Sequence, residues 1–105
     1  MIYKQFKIAN QVVRVELMDF VEESKYGDFT DAKNLIRIAK KIKVEGEVVE
    51  LTPEQIENTF WHEVFHAFQF FFDNDYNEAQ AQSYANFMQE VFATGNVIEK
   101  DQYTN

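Results

Sequence analysis

The stretch FWHEVFHAFQFFF, residues 60–72, carries the only two histidines of the chain, His62 and His66. Residues four positions apart lie on one face of an α-helix, about one turn from each other. Most other positions in the stretch are apolar, and a helix that is apolar nearly all round belongs in a core. Burying two imidazoles and the carboxyl of Glu63 there costs free energy unless they are paired or bind a metal. The stretch therefore predicts a buried helix with one polar, metal-binding side.

The second half of the chain is predicted to form two helices. The residues TPEQ at 52–55 supply an N-cap, a proline at the first helical position and a capping-box glutamine. They predict a first helix over 53–72. Polar residues then give a turn, and Asn77 is suited to cap a second helix over 78–93, which ends before a glycine. Residues 96–105 are expected to form a polar tail.

The first half of the chain, residues 1–50, is predicted to be mostly strands. Apolar and polar residues alternate over 13–17, which is the period of a half-buried strand. Gly27-Asp28 is typical of a turn, and residues 35–39 suit a strand near the middle of a sheet. Residues 44–49 form either a hairpin around a central glycine or a loop. Strands followed by helices predict an α+β fold, with a small N-terminal twisted β-sheet packed on two C-terminal helices.

Composition limits the classes of function. A length of 105 residues fits a single domain over 1–105, and an apolar fraction of 46% is enough for a core. The chain has no cysteine, so a metal must be held by histidine, carboxylate, carbonyl or water. A net charge of −8 disfavours a nucleic-acid partner. Neither a signal sequence nor the roughly 18 apolar residues of a membrane span is evident, so a cytoplasmic protein without a membrane partner is expected.

Residues His62-Glu63-Val64-Phe65-His66 form the pattern H-E-x-x-H. Two imidazoles one turn apart can bind one tetrahedral zinc ion at about 2.0–2.1 Å. Glu63 is rotated off their face but stays beside the open coordination position. There it can act as a general base, taking a proton from the attacking water and passing it to the leaving amine. The pattern predicts a Zn²⁺ cofactor with Glu63 as the catalytic residue.

The third zinc ligand should be a carboxylate, because the chain has no third histidine and no cysteine. Asp75, in the predicted turn, is one candidate. Glu78 is preferred, because it opens a second helix that must fold back on the first, and its side chain can then point at the metal. The expected metal ligands are therefore His62, His66 and Glu78.

Three segments of the chain resemble the small gluzincin-like metallopeptidases, especially the ImmA/IrrE-type and phage-encoded mini-zincins. FWHEVFHA at 60–67 resembles their active-site helix, and NEAQAQSYANF at 77–87 resembles their glutamate helix. YGDFTD at 26–31 followed by NLIRI at 34–38 resembles their turn and edge strand. Together the matches cover about residues 26 to 92.

The resemblance implies a zincin-like fold, in which a small twisted sheet packs against two helices with the metal between them. It implies hydrolysis of peptide bonds in a peptide or protein substrate, with Glu63 as general base. It also implies that the strand near Leu35–Ile38 offers a sheet edge to which a peptide can add.

Two further classes of function remain open beside a zinc-dependent metallopeptidase. One is a catalytically inactive, zinc-stabilised protein-interaction module, and the other is an interaction protein without metal. Tyr76 and Tyr84 are candidates for stabilising an oxyanion, although each also suits an ordinary core or surface position. The phenylalanines at 68, 70, 71 and 72 recur at helical spacing and are expected in the core.

Overall fold

The structure, a computed structural model, describes residues 1–72 and 74–104. This part of the chain forms an α+β fold, as the sequence predicts. The first 50 residues hold the strands, and the helices follow. The elements are β1 (Gln5–Ile8), β2 (Gln11–Met18), β3 (Gly27–Thr30), β4 (Leu35–Ala39), β5 (Lys41–Val44), β6 (Glu47–Glu50), α1 (Pro53–Phe71) and α2 (Glu78–Thr94). Among the described residues, no helix combines the length and apolar character needed to cross a bilayer.

Four strands form the main sheet, in the order β1-β2-β4-β3. β2 and β4 run parallel, whereas β1 pairs antiparallel with β2 and β3 pairs antiparallel with β4. β4 is therefore an inner strand, which agrees with the prediction of a mid-sheet strand at 35–39. Within the described residues, β1 and β3 pair on one side only, so each leaves one edge free.

β5 and β6 form a separate two-stranded hairpin. Its turn lies at Glu45 and Gly46, which both have positive φ angles, 51° and 81°. Two successive left-handed residues are characteristic of the tight turn that matches strand twist. Of the two alternatives open for residues 44–49, the hairpin is the one that forms.

The core lies between the main sheet and α1, with α2 packed beside them. Its buried cluster consists of Val13, Ile36, Ile38, Phe60, Trp61 and Ala85. The Phe60 side chain is fully enclosed, and burying a side chain of that size stabilises the fold by about 1.5–3 kcal/mol. Ala81 and Ala85 are completely buried, and because they are small they allow α2 to approach α1 closely.

Two predictions about the sheet are wrong. Gly27-Asp28 does not form a turn but begins strand β3. The strand near Leu35–Ile38 does not offer a free edge, because it is paired on both sides, with β2 and β3. The free edge on this side of the sheet belongs to β3. Gly27 is explained by a close approach rather than by a turn: a Cβ there would lie 2.6 Å from Thr59 Cγ2 and 2.7 Å from the Arg37 carbonyl oxygen.

The phenylalanines at the end of α1 are less buried than their spacing predicts. Phe68, Phe70 and Phe72 are 40%, 48% and 51% exposed, so they are not core residues. Phe71 packs against the core cluster, as expected. Phe70 and Phe71 both contact Phe29 of β3, so this turn of α1 packs on the sheet with only part of its side-chain surface.

Candidate metal centre

Capping interactions fix the two helices from which the site is built. The Thr52 side chain accepts a hydrogen bond from the Gln55 amide, and the Gln55 side chain accepts one from the Thr52 amide, so α1 begins with a complete capping box. Asn77 Oδ1 accepts a hydrogen bond from the Gln80 amide at 2.9 Å. This cap makes Glu78 the first residue of α2 and aims the start of that helix at α1.

His62, His66 and Glu78 converge on one point between the helices. The two Nε2 atoms lie 3.1 Å apart. Glu78 contacts both rings, with Oε1 at 2.6 Å from His66 Nε2 and Oε2 at 3.3 Å from His62 Nε2. Ligand atoms bound at about 2.0–2.1 Å in a tetrahedral site are about 3.3 Å from each other. These three residues, hereafter the triad, can hold a metal ion.

Asp75 does not join this cluster. It is exposed and lines a different cleft, whose wall also includes Phe65 and Phe68 of α1. Asp73, the preceding acid, lies outside the described residues. Of the two carboxylates considered as third ligand, the structure brings only Glu78 to the histidines.

The other ring nitrogen of each histidine contacts a glutamine oxygen. His66 Nδ1 lies 2.8 Å from Gln69 Oε1, and His62 Nδ1 lies 3.0 Å from Gln82 Oε1. An amide oxygen only accepts, so each Nδ1 must carry the hydrogen and donate it. In the neutral ring, each Nε2 then presents a lone pair to the triad.

The donor set of the triad therefore fits a cation. With both rings neutral and Nδ1 protonated, two imidazole lone pairs and a carboxylate face one another at hydrogen-bond distance without a proton between them. Such an arrangement is repulsive unless the three atoms share a positive charge, supplied by a metal ion or a proton. A hydrogen bond from Tyr76, together with the histidines, holds the pKa of the Glu78 carboxyl below its ordinary value, so Glu78 is in the ionised form that binds metals.

Glu63 is buried beside the triad, with 7% of its surface exposed. Within residues 1–72 and 74–104 its carboxyl is influenced by neighbouring charges but by no hydrogen bond, and it lines the clefts on both sides of the triad. Burial raises the pKa of this carboxyl to about 8, and the charges of Glu78 and Asp28 act in the same direction. A cation nearby would favour the ionised form. Within the described residues, the structure thus places a carboxyl without a hydrogen-bond partner beside the triad.

The two clefts form one groove that passes the triad. They have volumes of about 600 and 630 Å³, and they share Gly27, Glu63 and Glu78 in their walls. One half, the amide cleft, is walled by the carboxamides Asn58, Gln82, Asn86 and Gln89. The other half, the aromatic cleft, is lined by the aromatic residues Phe29, Phe70 and Tyr76 and by the charged residues Lys25, Asp28 and Asp31.

Strand β3 runs along this groove with its free edge. The Ala39 amide donates to the Tyr26 carbonyl at 2.9 Å, so the backbone polar groups of Tyr26 point toward β4. Backbone groups alternate along an antiparallel strand, so those of Gly27 and Phe29 point to the unpaired side. Among the described residues, the groove therefore contains backbone donors and acceptors of β3 that no other strand pairs.

The two candidate tyrosines have different environments. The Tyr76 ring stacks on His66, with centroids 4.3 Å apart and planes 6° from parallel, and its hydroxyl donates to Glu78. This hydrogen bond, with burial, raises the pKa of the Tyr76 phenol to about 12. Tyr84 instead packs on Phe65 and Trp61, which gives it a structural role. Tyr76 is therefore the tyrosine that supplies a donor at the triad.

Comparisons of the chain with protein-family models, with curated proteins and with solved structures give no match. The resemblance of its motifs to gluzincin-like peptidases stays a prediction. The geometry of the triad, of Glu63 and of the groove is the basis for the proposals that follow.

Proposed function

We propose that this chain is a zinc-dependent metallopeptidase with a zincin-like fold. The observation that carries the proposal is the position of Glu63. Among the described residues its carboxyl is buried without a hydrogen-bond partner, and it lines a groove where three side chains that could bind a metal converge. A purely structural metal site needs neither such a carboxyl nor a groove that passes the metal.

Zinc is the metal that suits this donor set best. Two imidazoles and one carboxylate, without thiolates, are the three protein ligands of many hydrolytic zinc sites, which keep the fourth position open. When bound, zinc acts as a Lewis acid on the scissile carbonyl and lowers the pKa of water to about 7. His62, His66 and Glu78 would hold it, with the lone pairs already facing one another.

Glu63 has the position and chemistry of a general base. In its ionised form, one carboxylate oxygen takes a proton from the water that attacks the peptide carbonyl. The same proton then passes to the amide nitrogen as the carbon–nitrogen bond breaks, which leaves an amine and a carboxylic acid. The buried position of Glu63 keeps bulk water away from the proton during both transfers.

The groove suits a peptide or protein substrate. An extended peptide could add to the free edge of β3 by hydrogen-bonding the backbone groups of Gly27 and Phe29. Such pairing gives affinity without demanding a particular side chain. It would hold the peptide alongside Glu63 and Glu78, which line both halves of the groove.

The proposal is tested by Glu63→Gln. This change keeps the shape of the side chain but removes the base, so hydrolysis of an unfolded protein substrate should fall by about 10²–10⁴-fold. Zinc content should stay at one ion per chain, because Glu63 is not a ligand. Peptide products and zinc are measured on the same untagged preparations.

Glu57→Gln is the matched control for that experiment. Glu57 lies on the same helix but pairs with the N-terminal amine, outside the groove. Its variant should cleave as wild type does. Undiminished cleavage by Glu63→Gln would contradict the proposed role of Glu63. A wild type that binds zinc tightly and cleaves nothing would instead indicate the inactive, zinc-stabilised interaction module.

A further inference from the structure

Each histidine of the triad is hydrogen-bonded to the uncharged side-chain amide of a glutamine. Gln69 lies on α1 itself, three residues after His66, and only 2% of its surface is exposed. Its amide nitrogen is directed at the Asn77 carbonyl oxygen, 3.5 Å away, which leaves Oε1 for His66. Gln82 contacts His62 from the neighbouring helix. Sequence patterns single out neither glutamine.

The amide of Gln82 is oriented by a network of other carboxamides. Its nitrogen donates to Asn58 Oδ1 at 2.8 Å and to Asn86 Oδ1 at 3.0 Å. Asn58 in turn donates to Asn86 and to Gln89 Oε1, the latter at 2.7 Å. Gln89 donates to the Glu54 carbonyl at 2.6 Å, so the network is anchored to the backbone of α1. A flipped Gln82 amide would lose both donations and turn a donor toward His62.

We infer that Gln69 and Gln82 are the positioning residues of the metal centre, which hold both histidines in the tautomer that directs Nε2 at the metal. This inference rests on the proposed zinc site and adds residues that act through His62 and His66. Partners of this kind usually fix the tautomer and orientation of a metal-binding imidazole. Here the partners are uncharged, so they orient the rings without raising their basicity as a carboxylate would.

One face of α2 then has two functions at the metal centre. Glu78 and Gln82 are four residues apart, so the same helical face supplies a metal ligand and the partner of His62. The packing of α2 on α1 therefore brings both the third ligand, Glu78, and the partner of His62, Gln82, to the site. The Asn58–Gln82–Asn86–Gln89 network, which forms the wall of the amide cleft, links that packing to His62.

The zinc affinity of Gln82→Leu, measured by competition with a chelator, tests the inference. Loss of such a partner typically weakens metal binding by about 10–100-fold. The matched control is Gln80→Leu, which changes the same residue type two positions away, where the side chain lines a cleft on the other side of α2. Gln80→Leu should bind zinc as wild type does. Gln82→Glu keeps an acceptor for His62 but loses the two donations to Asn58 and Asn86, so it should bind zinc more tightly than Gln82→Leu.

Gln69 is buried, so Gln69→Leu could fail to fold, and Gln69→Glu is the variant of choice. It keeps the acceptor for His66 Nδ1 and should therefore retain zinc binding. NMR of the histidine side-chain nitrogens in zinc-loaded protein gives a readout that packing alone would not change. Wild type should show Nδ1–H on both rings, and Gln82→Leu should lose the hydrogen-bonded Nδ1–H signal of His62 only.

The two levels of the proposal fail differently. If wild type takes up no zinc, the proposed zinc site is wrong, and the positioning role of Gln69 and Gln82 is wrong as well. If wild type binds zinc but Gln82→Leu matches Gln80→Leu within about twofold, only the positioning role is wrong. Zinc bound through Nδ1 on either histidine would overturn the inference as well.

Discussion

His66 is held on three sides. Gln69 accepts from one ring nitrogen, Glu78 faces the other, and Tyr76 stacks on the ring. Only 5% of the residue is exposed, so the ring has little freedom to turn away from the triad. A ring fixed in this way loses little entropy when it binds a metal, which favours a preorganised site.

Glu78→Ala should weaken zinc binding far more than Asp75→Ala. Removing one of three protein ligands should cost more than the loss of an orienting partner, so a drop of more than about 100-fold is expected. Asp75→Ala removes an equal charge from the preceding turn and should leave the affinity unchanged, because Asp75 lies outside the triad. Chelator competition measures both variants. A larger loss for Asp75→Ala would show that the triad is misassigned.

Residues of the site differ in how well sequence reveals them. His62 and His66 are found by spacing alone, because a helix converts four positions into one face. Glu78 follows from the reversal of the chain between two helices. Gln69 and Gln82 are missed, because glutamine is common on any helix surface and its role depends on which side chain it faces. A Gln placed three residues after a ligand His is the one signal that could have been used.

At the scale of elements, one cross-strand ion pair adds to the backbone pairing of β3 with β4. Asp28 and Arg37 are directly opposite each other on β3 and β4, and the guanidinium donates to both carboxylate oxygens, with Nε to Oδ1 at 2.9 Å. Lys25 adds a third contact at 3.2 Å. Burial alone would raise the pKa of Asp28, but the hydrogen bonds from Arg37 and Lys25 outweigh it and hold that pKa below its ordinary value.

The Asp28 pair should make the stability of the fold depend on pH in the acid range. The folded-state pKa is lowered, so the folded state binds fewer protons, and the stabilisation is complete above the unfolded pKa of about 3.9. It is lost as the pH falls through the folded pKa. Asp28→Asn should therefore cost about 1–3 kcal/mol at neutral pH, and this difference from wild type should shrink below about pH 4.

Urea unfolding of wild type and Asp28→Asn at several pH values measures that difference. Asp31→Asn is a suitable control, because Asp31 follows β3 and lies outside the Arg37 pair. A difference between wild type and Asp28→Asn that stays constant between pH 7 and pH 3 would contradict the account of β3.

The bounds of the helices could be predicted from the sequence, whereas the edge strand β3 could not. Caps and apolar periodicity are local, so α1 begins at Pro53 as the TPEQ signal predicts. β3 is only four residues long, and its Gly27-Asp28 start has the composition of a turn. What makes it a strand is pairing with Arg37 and close packing against Thr59, which are contacts distant in sequence.

At the scale of the whole molecule, the triad connects α1, which packs on the sheet, with α2, which packs on α1. His62 and His66 come from α1 and Glu78 comes from α2, so a bound metal would cross-link the helices. Proteins of this size are stable by only about 5–15 kcal/mol, and any ligand that binds only the folded state adds to that margin. A metal at the triad should therefore raise the stability of the entire chain.

The central claim, that His62, His66 and Glu78 form a zinc site, is tested most directly by the melting temperature of the untagged, metal-free protein with and without zinc. With free zinc at about 100 times its dissociation constant, the folded state should gain about 2.7 kcal/mol. For a chain near this length, such a gain corresponds to a rise on the order of 10 °C. We predict that rise together with one zinc per chain, and its absence in His62→Ala. A melting temperature unchanged by zinc, in protein that binds no zinc, would contradict the account.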